Sequence, residues 1–128
     1  MQEEGAVSMW LGKAADLRSF KAATKLRYSR DGDFLGSKFC EAYGISFYDE
    51  DFAEMEFLEP EEGDVRSAIR NASYGEVIEE RFREAMSSLP GSWNCIILLH
   101  NFKYAGTQES WAGVGLELRY VGTASYRR

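Results

Sequence analysis

The sequence contains little cysteine and little histidine, and both shortages exclude some chemistry. Its two cysteines, Cys40 and Cys95, lie 55 residues apart; neither has metal-ligand spacing, and a single pair is not a disulfide framework. We therefore expect two reduced, half-buried thiols in a cytoplasmic protein. No G-x-S-x-G nucleophile elbow accompanies the single histidine, His100, so a structural role at a strand end is favoured over a catalytic one.

The sequence also lacks a long apolar run and an excess of basic residues. No segment approaches the 18 apolar residues of a membrane span, and the N-terminus MQEEGAVSMW has no basic region typical of a signal peptide. The formal net charge of −6 argues against binding to nucleic acid or to an anionic membrane surface. A chain of 128 residues is expected to form one domain, over residues 1–128.

Four segments combine apolar residues at helical spacing with residues that cap helices. The predicted helices are residues 16–26 (N-cap Asp16), 37–44 (from Ser37 to Gly44), 64–71 (N-cap Asp64) and 73–88 (a capping box of Ser73 and Glu76, ended by Pro90-Gly91).

Strand patterns fall between and after these helices, at residues 6–12, 53–58, 93–104 and 114–126. The run 95–99 is apolar on both faces, which predicts an interior strand, and Gly122 predicts a break or bulge. Helices and strands alternate early and strands cluster late, which is typical of an α+β fold. We expect a single domain with a largely antiparallel sheet packed by about four helices, and a core that includes Trp10, Phe57, Ile96 and Leu98.

The most unusual feature is an acidic stretch between residues 49 and 64, which contains no lysine or arginine. Its nine carboxylates are Asp49, Glu50, Asp51, Glu54, Glu56, Glu59, Glu61, Glu62 and Asp64. The rest of the chain has 15 basic residues and 12 acids, a net charge of +3, so the acidity of the protein is local. Within the stretch, alternation along a strand places Ala53, Met55 and Phe57 on one face and the two glutamates between them on the other.

Several functions are compatible with this stretch. A carboxylate metal site would use Glu54 and Glu56, but no histidine lies nearby and the ligand spacing of a calcium loop is missing. A metal-dependent enzyme would pair its acids with a lysine, and no lysine lies between Asp49 and Asp64. A protein-recognition surface would use the acids to attract a basic partner and the aromatic side chains as anchors. A solvated edge strand, protected by charge from aggregation, explains the same composition. Composition alone leaves the last two open.

A series of short motifs, in order along nearly the whole chain, resembles the immunity protein 22 family of bacterial polymorphic toxin systems. The motifs are Trp10-x-Gly12, Asp31-Gly32-Asp33, Phe39, Tyr43-Gly44-Ile45, Tyr48-Asp49-x-Asp51-Phe52, Glu54-x-Glu56-Phe57, Ser73-Tyr74, the strand 96–102, and Gly122 to Tyr126. The resemblance implies an α+β protein that binds and neutralises a toxin without catalysis and without a cofactor or metal.

The resemblance makes a protein toxin the expected partner of the acidic stretch, and an unrelated scaffold or binding module the alternative. We predict that six acids meet basic residues at the substrate site of the toxin, as a nuclease would present: Asp49, Glu50, Asp51, Glu54, Glu56 and Glu59. Phe52, Tyr48 and Tyr74 would anchor the contact if they are exposed.

Overall fold

Helices and strands are interspersed along the first part of the chain, and the last three elements are all strands. The computed structural model describes residues 2–62, 64–89 and 92–126. Its elements are β1 (Gln2–Ala14), α1 (Leu17–Thr24), β2 (Arg27–Tyr28), β3 (Phe34–Gly36), α2 (Lys38–Tyr43), β4 (Ala53–Phe57), α3 (Val65–Asn71), α4 (Gly75–Ser87), β5 (Cys95–Phe102), β6 (Ser110–Gly113) and β7 (Leu116–Ser125). Two short 3-10 turns, Glu50–Phe52 and Pro60–Glu62, flank β4.

The main sheet has the strand order β4-β5-β1-β7-β6, and all neighbouring strands are antiparallel. β1 lies at the centre because residues 6–11 (AVSMWL) are apolar or small on both faces, as a strand covered on both sides requires. β5 lies between β1 and β4, which confirms the predicted interior strand. β1 and β7 shift register between Met9 and Trp10, next to Gly122, where the sequence predicts a break or bulge.

Alternate side chains of the central strands point into two separate cores. Trp10 points towards α1 and α2, and its ring packs against Phe39 and Tyr43 at centroid distances of 5.0 and 5.6 Å. Met9 and Leu11 point to the opposite face, towards α3 and α4. The sheet therefore has an α1–α2 layer on one face and an α3–α4 layer on the other, an α+β domain with an antiparallel sheet as the sequence predicts.

The predicted core is largely confirmed. Phe57 is half-buried against the α1–α2 layer, and the other predicted core residues are buried: Trp10, Ile96 and Leu98. The prediction of half-buried cysteines is wrong, because Cys40 and Cys95 are free thiols that are fully buried. Cys95 fits because its neighbour Gly12 has no side chain: a Cβ on Gly12 would lie 2.7 Å from the Cys95 sulfur.

Three of the four predicted helix starts are confirmed by their capping bonds. Asp16 accepts from the Ser19 amide, Ser37 accepts from the Cys40 amide, and Asp64 accepts from the Arg66 amide. Gly44 ends α2 in the left-handed conformation at φ 67°, where glycine is favoured.

The capping box predicted for α4 is wrong. Tyr74 is the N-cap, at φ 59° and ψ 28°, and its side chain makes no cap bond. The Ser73 amide donates to the Glu54 carboxylate at 3.0 Å. A standard N-cap residue is extended, whereas Tyr74 is left-handed, and Gly75 packs so closely on α3 that a Cβ on it would lie 2.4 Å from the Ile69 carbonyl oxygen.

The sequence also fails to predict the shortest strands. β2 and β3 form a separate two-stranded sheet around the expected Asp31-Gly32 turn, and β6 pairs with β7 at the far edge of the main sheet. With two to four residues each, these strands are too short for an alternating pattern. The predicted helix stop at Pro90-Gly91 lies outside the described residues.

Candidate functional site

The acidic stretch follows the edge of the main sheet on β4. Its apolar side chains, Ala53, Met55 and Phe57, pack against the α1–α2 layer, which confirms that face of the predicted alternation. Glu54 and Glu56 point to the other face, where they line a cavity of about 300 Å³ shared with residues of α3. β4 pairs with β5 on one side and forms a sheet edge on the other.

A 3-10 turn places the first acids of the stretch before this edge strand. The Asp49 carboxylate accepts a hydrogen bond from the Asp51 amide at 3.0 Å and so begins the turn. Glu50 and Asp51 are exposed. Phe52 is 46% exposed, so it meets the requirement that an aromatic anchor be accessible to a partner.

Tyr48 does not meet that condition, since it is only 3% exposed. Its ring lies 5.9 Å from that of Phe34, within the α1–α2 layer. Burial, with the nearby Cys40 and Glu50, raises the pKa of its hydroxyl. Tyr48 therefore belongs to the core next to the acidic turn and is not accessible to a partner.

Two aromatic side chains outside the predicted set lie beside the turn instead. Phe47 and Tyr28 are each 47% exposed, and both pack against Phe34, at centroid distances of 5.0 and 6.0 Å. Desolvation raises the pKa of Tyr28, and the nearby Glu50 carboxylate raises it further. Tyr28 therefore places the β2–β3 hairpin beside the acidic turn.

Together these residues form one surface, which we call the acidic–aromatic surface. Its members are Tyr28, Phe47, Asp49, Glu50, Asp51 and Phe52. Phe47 lies two residues before Asp49 in the sequence, so its position beside the acids could have predicted its place in this surface. Tyr28 is remote in sequence and is brought to the surface by its packing against Phe34, which no local pattern reveals.

Glu54 is not a member of this surface, because its carboxylate is bound within the protein. Its carboxylate accepts from the Ser73 amide at 3.0 and 3.3 Å, and its Oε1 lies 2.8 Å from Nε2 of His100. The two atoms are close enough for an ion pair, but their relative orientation does not meet the geometry of a hydrogen bond. Glu54 thus links β4 to β5 and to the turn between α3 and α4.

His100 is buried, at 8% exposure, beneath this turn. Burial lowers the pKa of its imidazole, and the Glu54 carboxylate partly opposes the shift. Its ring lies 5.8 Å from that of Tyr126 and 6.5 Å from that of Tyr74. These contacts agree with a structural role for the single histidine.

Tyr74 is 59% exposed and lies on the side of Glu54 and His100. It meets the exposure condition for an anchor, and it lines a groove with Tyr126 and Glu4, whereas Phe52 lines a neighbouring cavity with Glu4 and His100. The last two predicted acids, Glu56 and Glu59, are exposed on β4 and just after it. The structure thus brings together Asp49 to Phe52, and distributes the other predicted residues along the edge and around the α3–α4 turn.

The described residues offer little for metal binding or membrane insertion. In residues 2–62, 64–89 and 92–126, no group of three or more histidine, cysteine, aspartate or glutamate side chains is placed to hold a metal ion. Within the same ranges, no helix has both the length and the apolar character needed to cross a membrane.

A family model described as "Immunity protein 22" matches residues 7–127 of the 128-residue chain. No curated protein and no solved structure gives a significant match.

Proposed function

This chain belongs to the immunity protein 22 family, and from that membership we propose that it neutralises a bacterial toxin by covering the toxin's active site with the acidic–aromatic surface. Family membership supports the immunity role and the binding of a toxin. The position of three acids among exposed aromatic side chains supports this particular surface.

The chemistry of the surface suits a basic partner. Asp49, Glu50 and Asp51 are consecutive carboxylates, and their field speeds encounter with a positive site and disfavours acidic partners. Phe47, Phe52 and Tyr28 supply the large side chains that dominate interface energies once water is excluded. The acids supply long-range electrostatic attraction and the aromatic side chains supply a contact that excludes water, so the surface needs both.

A toxin with a basic substrate site fits this surface best, and a nuclease is the principal example. Such a site binds phosphate groups through lysine and arginine, and closely spaced carboxylates occupy the same positions as the phosphates of a substrate. Occlusion of this kind needs one immunity protein per active site and no catalysis. We place the protein in the cytoplasm of a cell that carries a polymorphic toxin system.

Charge reversal on the surface tests this proposal. The variant Glu50→Lys/Asp51→Lys is co-expressed with the toxin encoded by the neighbouring reading frame, and cell survival and the Kd of the complex are measured. We expect protection to be lost and binding to weaken at least ~100-fold, because like charges then meet at the contact.

The matched control is Glu80→Lys/Glu84→Lys on the exposed face of α4, which changes the net charge by the same amount. It should retain protection, and circular dichroism should show that both variants are folded. Full protection by the surface variant would remove this surface from the interface. An equal loss in both variants would show that net charge alone matters.

A further inference from the structure

The exposed side of α1 combines unpaired positive charge with an apolar groove. Leu17, Lys21 and Lys25 follow one another at intervals of four residues, so they lie along one side of α1 and its C-cap. Leu17 is 42% exposed, and it lines an open groove of about 720 Å³ together with Ala22 and both lysines. Among the residues that the structure describes, neither lysine forms an ion pair. We call this site, formed by Leu17, Lys21, Ala22 and Lys25, the basic groove.

Arg18 lies beside the basic groove and adds less to its charge. Hydrogen bonds from Ser19 lower the pKa of Asp16, and the nearby Arg18 lowers it further, so the charge of Arg18 is partly balanced. The two lysines therefore carry the uncompensated charge of this helix. They lie at its C-terminal end, where the helix dipole also favours a cation.

The β2–β3 hairpin connects the basic groove to the acidic–aromatic surface. It begins two residues after Lys25, and its Phe34 packs against Tyr28 on one strand and against Phe47 beside the acidic turn. Leu35 on the same hairpin is 54% exposed. Exposed apolar side chains thus continue from α1 across the hairpin to the acidic turn, and a contiguous apolar patch of this kind is typical of an interaction site.

The hairpin itself contributes little net charge. Arg27 at its start donates to the Glu41 carboxylate at 3.2 Å, which balances both side chains. The turn of the hairpin carries Arg30, Asp31 and Asp33, a net charge of −1. The concentrated charges therefore lie at the two ends of the surface, positive on α1 and negative on the acidic turn.

The acids at the negative end are uncompensated as well. Asp49, Glu50 and Asp51 are consecutive, and no lysine or arginine in the described part of the chain forms an ion pair with them. The hydrogen bond that the Asp51 amide donates to Asp49 leaves the negative charge in place. Both ends can therefore attract an opposite charge from another molecule.

We propose that this surface joins two copies of the protein around a two-fold axis, with the basic groove of each copy receiving the acidic–aromatic surface of the other. A surface with opposite charges at its ends and apolar side chains between them is complementary to itself after a two-fold rotation, as an isologous interface requires. Opposite charges then meet twice, and the apolar patch is removed from water. An acidic partner of another kind would match the basic groove alone and leave the acids exposed.

Such a dimer covers the surface that we propose for the toxin. A toxin with a basic site would compete with the second copy for the acids, so toxin binding would separate the two copies. The dimer itself does not rest on the proposed function, whereas its displacement by the toxin does.

Charge reversal at each end tests the dimer. Sedimentation equilibrium gives the mass of the native chain, of Lys21→Glu/Lys25→Glu and of Glu50→Lys/Asp51→Lys, at protein concentrations up to about 1 mM. We expect the native chain to dimerise and each variant to raise the Kd of the dimer at least ~100-fold, because like charges then meet. Circular dichroism should show that both variants are folded. A native chain that stays monomeric, or a dimer that survives either variant, would overturn the proposal.

Mixing the two variants tests the pairing of the ends directly. In the mixed dimer the reversed groove of one copy meets the reversed acids of the other, and the two unchanged ends also meet, so each contact again joins opposite charges. The mixture should therefore form a heterodimer although each variant alone is monomeric. A mixture that stays monomeric would show that the two ends do not meet.

The matched control for the basic groove is Arg83→Glu/Lys103→Glu, at exposed positions outside this surface. It changes the net charge by the same amount as Lys21→Glu/Lys25→Glu, and it should dimerise as the native chain does. An equal loss of dimer in this control would show that net charge alone governs association, and the proposed interface would fail.

The toxin complex separates this inference from the proposed function. Sedimentation of the complex should show one copy of the immunity protein per toxin, and Lys21→Glu/Lys25→Glu should bind the toxin at least as tightly as the native chain, because no second copy competes. A complex that still contains the dimer would overturn displacement by the toxin. If Glu50→Lys/Asp51→Lys abolishes the dimer and leaves toxin binding intact, the dimer stands and the surface proposed for the toxin fails.

Discussion

Glu54 shows how a single acid in a charged stretch acquires a role from its surroundings. In the sequence it is one of nine similar carboxylates, but in the fold it accepts from the Ser73 amide and lies against His100. Replacing it therefore disturbs the α3–α4 turn and the buried imidazole before it affects any partner. A loss of binding in a Glu54 variant would not identify an interface, which is why Glu50 and Asp51 are the better test.

His100 gives a prediction about pH. Burial holds its pKa below the ordinary value of 6.5, while Glu54 partly opposes the shift. Below pH 6.5 the unfolded chain therefore binds a proton that the folded chain does not, and the free energy of unfolding falls as the pH is lowered towards the folded pKa. Above that window His100 contributes no pH dependence. The rings of Tyr74 and Tyr126 also lie against the imidazole, and His100 lines a cavity together with Glu4 and Asp49.

The measurement is urea unfolding of the native chain and of His100→Gln between about pH 7.5 and pH 5.5. The native chain should lose more stability over this range than the variant. Because the carboxylates titrate in both proteins, the difference between the two slopes isolates the histidine. Identical slopes would show that the folded protein binds the proton as readily as the unfolded chain does.

Exposure of single aromatic residues is where sequence reasoning is weakest. Tyr48, just before the acidic stretch, and Phe52, within it, lie four residues apart, yet the first is buried and the second exposed. The difference arises because Phe34, on a strand of three residues, covers Tyr48. Residues that become neighbours only through tertiary packing leave no local pattern, and Tyr28 was missed for the same reason.

Among the structural elements, those defined by local chemistry were predictable. Capping side chains mark the starts of α1, α2 and α3, and alternation marks β4. The start of α4 was not predictable, because Glu54 on β4 takes the Ser73 amide and a close approach to α3 replaces the capping box. Local signals thus identify an element until a distant residue competes for the same backbone group.

Ser37 tests the contribution of one such cap. Its side chain is buried and accepts from the Cys40 amide at 3.2 Å. Ser37→Ala should lower the free energy of unfolding by about 1 kcal/mol, because the amide loses its partner where water has little access. Chemical denaturation measures the change. Ser87→Ala on the exposed end of α4 is the matched control and should change stability by less than ~0.5 kcal/mol; an equal effect of both would exclude a capping contribution.

At the scale of the whole molecule, charge is divided between two parts of the surface. The nine acids between residues 49 and 64 carry more negative charge than the whole protein, whose net charge is −6, because the remaining residues are net positive. Binding through the acidic part should therefore be controlled by electrostatics mainly in its association rate.

Salt dependence tests this division. Raising NaCl from ~20 mM to ~500 mM shortens the Debye length severalfold and should slow association with a basic toxin at least ~10-fold, while dissociation changes less. Stopped-flow measurements give both rates. Glu50→Lys/Asp51→Lys should flatten the salt dependence of association, whereas Glu80→Lys/Glu84→Lys should retain most of it. A rate that is independent of salt would exclude the acidic–aromatic surface as the site of first encounter.

The two buried thiols divide the molecule in another way. Cys40 and Cys95 both belong to the α1–α2 layer, and none of the buried residues of the α3–α4 core is a cysteine. Burial raises the pKa of Cys95 to about 12 and also raises that of Cys40, so neither reacts with an alkylating reagent while the fold is closed. Their rate of alkylation therefore reports how often the α1–α2 side of the molecule opens. If a bound toxin lowers this rate, the toxin-binding surface is coupled to the α1–α2 layer.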